Sequence, residues 1–314
     1  PSQGLKPRGD GGQETDPHSR YPDARPSFRN ATSADSMASQ WNNFLRNLGE
    51  WRGTFCGLAA DGSIADTTAS ILTLQAGDEE RLVHFRLRRF GPEGVEGEPI
   101  HEMAQDYRNL GKQVVFFDNG TFCKGSMQVS PCAEFGGEFG FVDQDRRHRL
   151  VQLHAKDGRF SKLVLIREFR TDGTGQEQPP ASLESLAGDW SGQASTISAD
   201  WPEPSLEQAA FQITTSDSQG FSIRTQIGQQ QSVLSGSLLS SCIGGVDGAQ
   251  EHQLQLLPDA GFNLRPVQVS HREAFQLEAG WMPTPTTMQR LIRRYDRSGA
   301  WISATQIVAS RSGG

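Results

Sequence analysis

The chain has 314 residues, with 30 Lys and Arg against 37 Asp and Glu, a net charge of −7 and an isoelectric point near 5.6. That length suits roughly two domains, and the mildly acidic balance argues against a nucleic-acid binder, which needs a clustered basic surface. No apolar run approaches the roughly 20 residues of a membrane-spanning helix, and 34 Gly, 17 Phe and 6 Trp favour a turn-rich β protein over a helical one.

Residues 1–36 carry Pro, Gly, Ser and balanced charges with almost no apolar periodicity. Such a segment buries too little apolar surface to offset its ordering entropy, so it reads as a disordered N-terminal extension. Met37 reads as a translation start. In Ala38–Leu48, Trp41, Phe44, Leu45 and Leu48 share one helical face, and Gly49 stops the helix.

From Trp51 the period changes to two. Strands are expected at Trp51–Leu58, Thr68–Leu74, Leu82–Phe90, His101–Tyr107, Gln113–Phe117, Thr121–Val129, Glu134–Val142, Arg149–Ala155 and Phe160–Phe169. Asp61-Gly62, Asn119-Gly120 and Asp157-Gly158 between them suit tight hairpins, because these residues tolerate positive φ. An antiparallel meander follows, and closing it into a barrel removes its edges. Later strands are expected at Glu207–Thr214, Phe221–Ile227, Ser232–Leu239, Glu251–Leu257, Val267–Val269, Glu273–Leu277, Gln289–Tyr295 and Trp301–Ala309.

An internal repeat organises the chain. Gly49-Glu50-Trp51-Arg52-Gly53 returns as Gly188-Asp189-Trp190-Ser191-Gly192, each after a short helical stretch. Arg149–Ile166 aligns without a gap to Arg290–Ile307. Two matches in one order at nearly one spacing mark a duplication: a first barrel over residues 38–170, a linker over 171–180 (TDGTGQEQPP) and a second barrel over 181–311. The count near eight in the second copy matches a small up-and-down barrel, which would enclose core side chains or one small ligand.

A short helix followed by Gly-x-Trp resembles the calycin superfamily, which includes lipocalins. The stretches SQWNNFLRNLGEWRGTF, FFDNGTFCKGSMQVSP, EFGGEFGFV and GWMPTPTTMQRLIRRYD are similar to a two-domain lipocalin-like family of cyanobacteria and plastids, to which no catalytic residue is assigned. The resemblance implies two tandem antiparallel up-and-down β-barrels, in an all-β protein, with a Trp plugging one end of each. The basic residue stacked on that Trp would be Arg167 or Arg170 over Trp51, and Arg311 over Trp190. It also implies a hydrophobic ligand such as a tetrapyrrole, carotenoid or acyl chain. The alternatives are a bilin lyase-like or lipid-isomerising enzyme, or an assembly scaffold serving a photosynthetic antenna or similar partner. The expected place is the cytoplasm or the thylakoid surface.

Candidate site residues follow from the strand faces. His84, Arg86 and Arg88 share one face; pointing inward they would hold a carboxylate, pointing outward they are solvated over a Val83, Phe85, Leu87 core. Phe122, Phe135 and Phe139 would line a pocket or pack as core. Glu134 and Glu138 lie on one face, which permits proton transfer or leaves both exposed. Cys56, Cys123, Cys132 and Cys242 have no metal-ligand spacing, and the His residues are scattered, so no metal site is expected. A Cys123–Cys132 bridge requires side chains leaving one face of neighbouring strands.

Overall fold

The computed structural model describes residues 40–59, 61–201, 203–216, 220–238, 242–245 and 250–312; the expected disordered extension lies outside them. Helix α1 (residues 40–45) precedes the first sheet. That sheet holds β1 (Gly49–Leu58), β2 (Ile64–Ala76), β3 (Val83–Phe90), β4 (Pro99–Tyr107), β5 (Val114–Phe116), β6 (Phe122–Gly125), β7 (Phe135–Asp143), β8 (Arg146–His154) and β9 (Phe160–Arg170). Helix α2 (Leu183–Leu186) leads into β10 (Gly188–Ser198), β11 (Ser205–Thr215), β12 (Gly220–Ile227), β13 (Gln230–Ser237) and β14 (Cys242–Gly245). The chain continues through β15 (Gln250–Leu256), β16 (Gly261–Pro266), β17 (Phe275–Thr284), β18 (Thr287–Tyr295) and β19 (Trp301–Arg311).

The first nine strands form one curled antiparallel sheet in the order β4-β3-β2-β1-β9-β8-β7-β6-β5, and the last ten form a closed barrel. The difference is one of parity. Neighbours in an up-and-down sheet alternate in direction, so only an even set closes with antiparallel pairing throughout. The edge strands of the nine-stranded sheet run the same way, and it stays open.

Register identifies the strand that makes the difference. Phe122 of β6 faces Gly140 of β7, and Phe262 of β16 faces Gly280 of β17. β6 therefore corresponds to β16, β5 to β15 and β4 to β13, while β14 has no counterpart. Sequence reasoning placed nine strands in the first sheet, as found, but only eight in the second: none over β10, β14 or β16, and one at Val267–Val269, where the chain makes only an isolated bridge at Gln268. β14 is four residues with no alternation, and β16 is buried along its whole length, so neither shows a period of two.

Gly140 and Gly280 repeat one device: each leaves room for a Phe ring lying across the strand. An added Cβ would stand 2.2 Å from Phe122 or 2.1 Å from Phe262. Gly280→Ala should therefore cost about 1–3 kcal/mol by overpacking, read from the urea midpoint; an unchanged midpoint would mean the ring swings aside.

The two units share a hydrophobic layer in which the outer faces of β7–β9 and β17–β19 meet. Phe135, Phe139, Phe141, Leu150 and Leu165 from the first side join Phe275, Leu277, Trp281, Tyr295 and Trp301 from the second. The connecting segment is docked as well: Gln178 N–H donates to Asp259, Ala260 N–H to Pro179 O, and Ala181 N–H to Leu257 O.

Candidate functional site

The closed end of each unit is built identically. Trp51 and Trp190 are fully buried, and their indole N–H groups donate to Asn47 O at 2.9 Å and Leu186 O at 3.1 Å. Arg170 lies opposite Trp51 across β1–β9, and Arg311 opposite Trp190 across β10–β19. Their guanidinium carbons stand 4.2 and 4.3 Å from the indole centroids. The same guanidinium groups donate to the carbonyls that close the preceding helices, Arg46 and Leu48 in one unit and Ser185 and Ala187 in the other. Arg167 is one strand position off this row: it turns to the outer face, where it pairs with Glu177 at 2.6 Å and touches Cys56 Sγ. Strand alternation thus selects Arg170 over Arg167.

Above that floor the interiors differ. In the first unit Trp41, Phe44, Leu72, Leu87, Phe116, Phe122 and Val142 make an apolar base, and a charged belt lies over it. Glu168 is completely buried and accepts from Arg147 Nε at 2.7 Å and Arg149 Nε at 2.9 Å. Arg149 also donates to Glu138 Oε1 at 2.8 Å, and Lys124 stands 3.0 Å from Glu138 Oε2. Arg147 covers the other face of Trp51 at 4.4 Å. Arg89 and Arg149 flank the Phe55 ring at 5.4 and 5.7 Å. Burial pushes the Glu138 carboxyl up, but Arg149 and Lys124 outweigh it and hold it at about 2. Glu168 is likewise lowered, burial being overcome by Arg147 and Arg149. Four cations (Arg89, Arg147, Arg149, Lys124) thus face two carboxylates. Arg89 Nε, Arg147 Nη2 and Ser70 Oγ are buried without partners.

The second unit retains a reduced version. Arg290 donates to Glu278 at 2.7 Å and to Thr225 Oγ1 at 3.0 Å, repeating the Arg149–Glu138 pair. The positions of Arg147 and Glu168 are taken by Met288 and Ala309, which face each other across β18–β19. Buried Trp190, Phe211, Ile223, Leu264, Ile292 and Ile307 fill the barrel. The space left beside Arg290 is about 10 Å³, no more than one water occupies. An open groove of about 540 Å³ crosses β10–β13, lined mainly by exposed residues such as Gln212, Arg224, Gln226 and Gln231.

The sequence-derived candidates separate by face. Phe122 and Glu138 point into the first unit. His84 and Arg86 lie on its outer surface, paired with Asp106 at 2.7 Å and Glu102 at 3.0 Å; Arg88 shares that face. The inward row of β3 is Val83, Phe85, Leu87 and Arg89, which corrects the inward placement of His84, Arg86 and Arg88. Phe135 and Phe139 leave the opposite face from Glu138 and belong to the layer between the units, which corrects their placement in a pocket. Sequence reasoning missed Arg147, which fell just before the expected strand. It also missed Glu168, which alternation places inward between Arg167 and Phe169, and Arg89 and Lys124. Cys56, Cys123 and Cys132 are free thiols; the Cys242 side chain lies outside the described set. Among the described residues no three His, Cys, Asp or Glu cluster as metal ligands, and no helix is long and apolar enough to cross a membrane.

Between the units His154 is buried against Phe135 and Phe160, and burial, with Arg265 nearby, pushes it down to about 4. An unfolded His, near 6.5, takes up a proton that the folded His154 refuses. Stability should therefore fall as pH drops from about 6.5 to 4, by about 3 kcal/mol from this group. Denaturant titrations across that range, with His154→Phe losing the matching part of the slope, check this.

The comparisons with known proteins follow the same division. Residues 37–173 match the family described as "Domain of unknown function (DUF3598), N-terminal". Residues 177–312 match "Biogenesis factor required for ATP synthase 1, C-terminal domain". No curated protein matches the chain. An S-type phycobiliprotein lyase from Guillardia theta is 16% identical over 42% of this chain and 91% of its own, with a TM-score of 0.31, too low to bear on function. The crystal structure of a protein of unknown function from Nostoc punctiforme, in the DUF3598 family, is similar with a TM-score of 0.79, covering 87% of this chain and 99% of its own. At 33% identity over that span, and with its first half matching the family's N-terminal domain, the chain belongs to the DUF3598 family.

Proposed function

We infer that the first unit holds an amphipathic small molecule bearing an anionic group, its apolar part on the aromatic base and its charge at the arginine belt. The observation that carries this is the excess of cations in an interior that is open along one side, with buried donors on Arg89, Arg147 and Ser70 lacking partners. Buried polar groups without partners cost free energy that a bound carboxylate would relieve. The paired Trp–Arg plugs support a lipocalin-like origin for both units. Of the ligands that origin suggests, an acyl chain or a tetrapyrrole with propionates fits the belt better than a carotenoid, which has no anion. The second unit, filled by its own side chains, is a structural or docking module. Its match to a biogenesis-factor domain supports an assembly role as the second reading.

The test is equilibrium binding of palmitate and of a linear tetrapyrrole, each beside its neutral ester, followed by quenching of tryptophan fluorescence. The acids should bind at least about tenfold more tightly, a difference of about 1.4 kcal/mol, and Arg89→Gln should remove most of that margin. Equal affinity for acid and ester, or no uptake of any of the four, sinks the reading.

A further inference from the structure

The two edges of the first sheet are treated differently. The β5 edge is sealed: Gln40 of α1 donates to Phe116 O at 2.9 Å and accepts from Phe116 N–H at 2.8 Å, as a neighbouring strand would. Asn43 adds a second donor to Phe116 O, and Val114 N–H bonds to Gly111 O. The β4 edge has no such cover among the described residues. β4 is nine residues long, pairs only with β3, and is exposed along its length. Ile100 is 66% and Met103 42% exposed, although both are large and apolar. Its sole proline is at the first position. A long, partly apolar edge is a template for another strand unless it is blunted.

The second unit shows what such an edge accepts. β13 occupies the place of β4, and β14 pairs antiparallel along its far side, Val233 with Gly245, Leu234 with Gly244 and Ser235 with Ile243. By register, Leu234 lies opposite Ile223 as Gln105 lies opposite Phe85. The stretch of β4 corresponding to the β14 contact is therefore Ala104–Asp106. The first unit lacks its own β14, because β4 and β5 are joined directly through Arg108–Gln113.

We propose that the free edge of β4 docks an extended segment of a partner protein, which adds antiparallel to β4 as the tenth strand of the first sheet. Main-chain hydrogen bonds give such a contact its affinity, and alternate side chains its selectivity. The inward row of β4 is His101, Met103, Gln105 and Tyr107, beside Arg89 on β3, and the interior they border carries four cations to two carboxylates. Inward side chains of the added strand therefore include acids. On the outer row Glu102 is paired with Arg86 and Asp106 is hydrogen-bonded to His84, so apolar or small residues suit the side next to Ile100. The segment is short, acidic and apolar in alternation. The docking does not depend on the cup holding a small molecule.

The experiment uses the full chain and three synthetic ten-residue peptides that alternate valine with glutamate, with serine or with lysine. Hydrogen exchange of the β4 amides is measured with each. The glutamate peptide should slow exchange across Ala104–Asp106 by about tenfold or more, and the lysine peptide should not. A glutamate peptide N-methylated at the alternate amides that would face β4 should fail, since it cannot complete the ladder, whereas methylation of the other set leaves that edge intact. Ile100→Lys with Met103→Lys should abolish the protection, while exchange in β18 and β19 stays unchanged and certifies the fold. Overturning results are no protection by any peptide, equal protection by the one methylated on the facing amides, or protection of β4 without peptide that rises with protein concentration. The last would assign the edge to a second copy of this chain.

Discussion

Glu168→Ala should destabilise the protein by about 3–5 kcal/mol, because it leaves the buried Arg147 and Arg149 guanidinium groups without their shared carboxylate. Arg149 keeps Glu138, whereas Arg147 keeps no carboxylate, only a 3.3 Å hydrogen bond to Asn47 Oδ1 and its place over Trp51. The duplication supplies the control. At the matching positions the second unit holds Met288 and Ala309, both buried. The double replacement Arg147→Met with Glu168→Ala should thus recover most of the loss, since a buried ion pair exchanged for apolar residues of similar volume is often neutral. Guanidinium titration of the wild type, the single and the double variant decides it. A single variant within 1 kcal/mol of wild type, or a double variant no better than the single, would refute it.

Asp259→Ala should cost a similar amount, about 3–5 kcal/mol, but with a different signature. Asp259 is buried in the turn between β15 and β16 and is shared by two groups of the first unit, Arg146 and His148 Nδ1 at 3.2 Å, and by the linker's Gln178 N–H at 2.7 Å. Arg146 lies over Trp281 at 4.9 Å, and His148 stacks on the same indole at 5.5 Å. Removing the carboxylate strands a guanidinium and an imidazole in the layer that joins the two units. Calorimetry should then resolve two transitions where the wild type shows one. A single transition at the original temperature would show that the apolar layer suffices alone. Burial raises the Asp259 carboxyl, but His148 and the Gln178 amide outweigh it and keep it low. Its contribution is therefore present above the unfolded carboxylate range and fades as pH falls through it.

The architecture was largely legible because its signals were local. Alternating patterns marked nearly every strand of the first sheet, and the Gly-acid-Trp-x-Gly repeat announced the duplication. What escaped lay where alternation carries no information. β16 is buried on both faces, so its pattern is flat, and β14 is too short to show one. The site was harder to read than the fold. His84, Arg86 and Arg88 form a conspicuous basic row, yet they are the solvated face, as the apolar alternative required. The belt itself rests on Arg147 and Glu168, more than twenty positions apart in sequence and opposed only through the β8–β9 register. Phe135 and Phe139 looked like pocket residues because the pattern gives two faces without saying that the outer one meets a second barrel.

A pinned linker, a shared aromatic layer and the Asp259 clasp fasten the two halves of the molecule to each other. Whatever grips the free margin of the first sheet would carry the second barrel along as a rigid handle of fixed direction. The pair would then act as a spacer: a client held at one end would meet a surface on the other at a set distance and angle, and lengthening the 171–180 connection alone would not loosen that geometry.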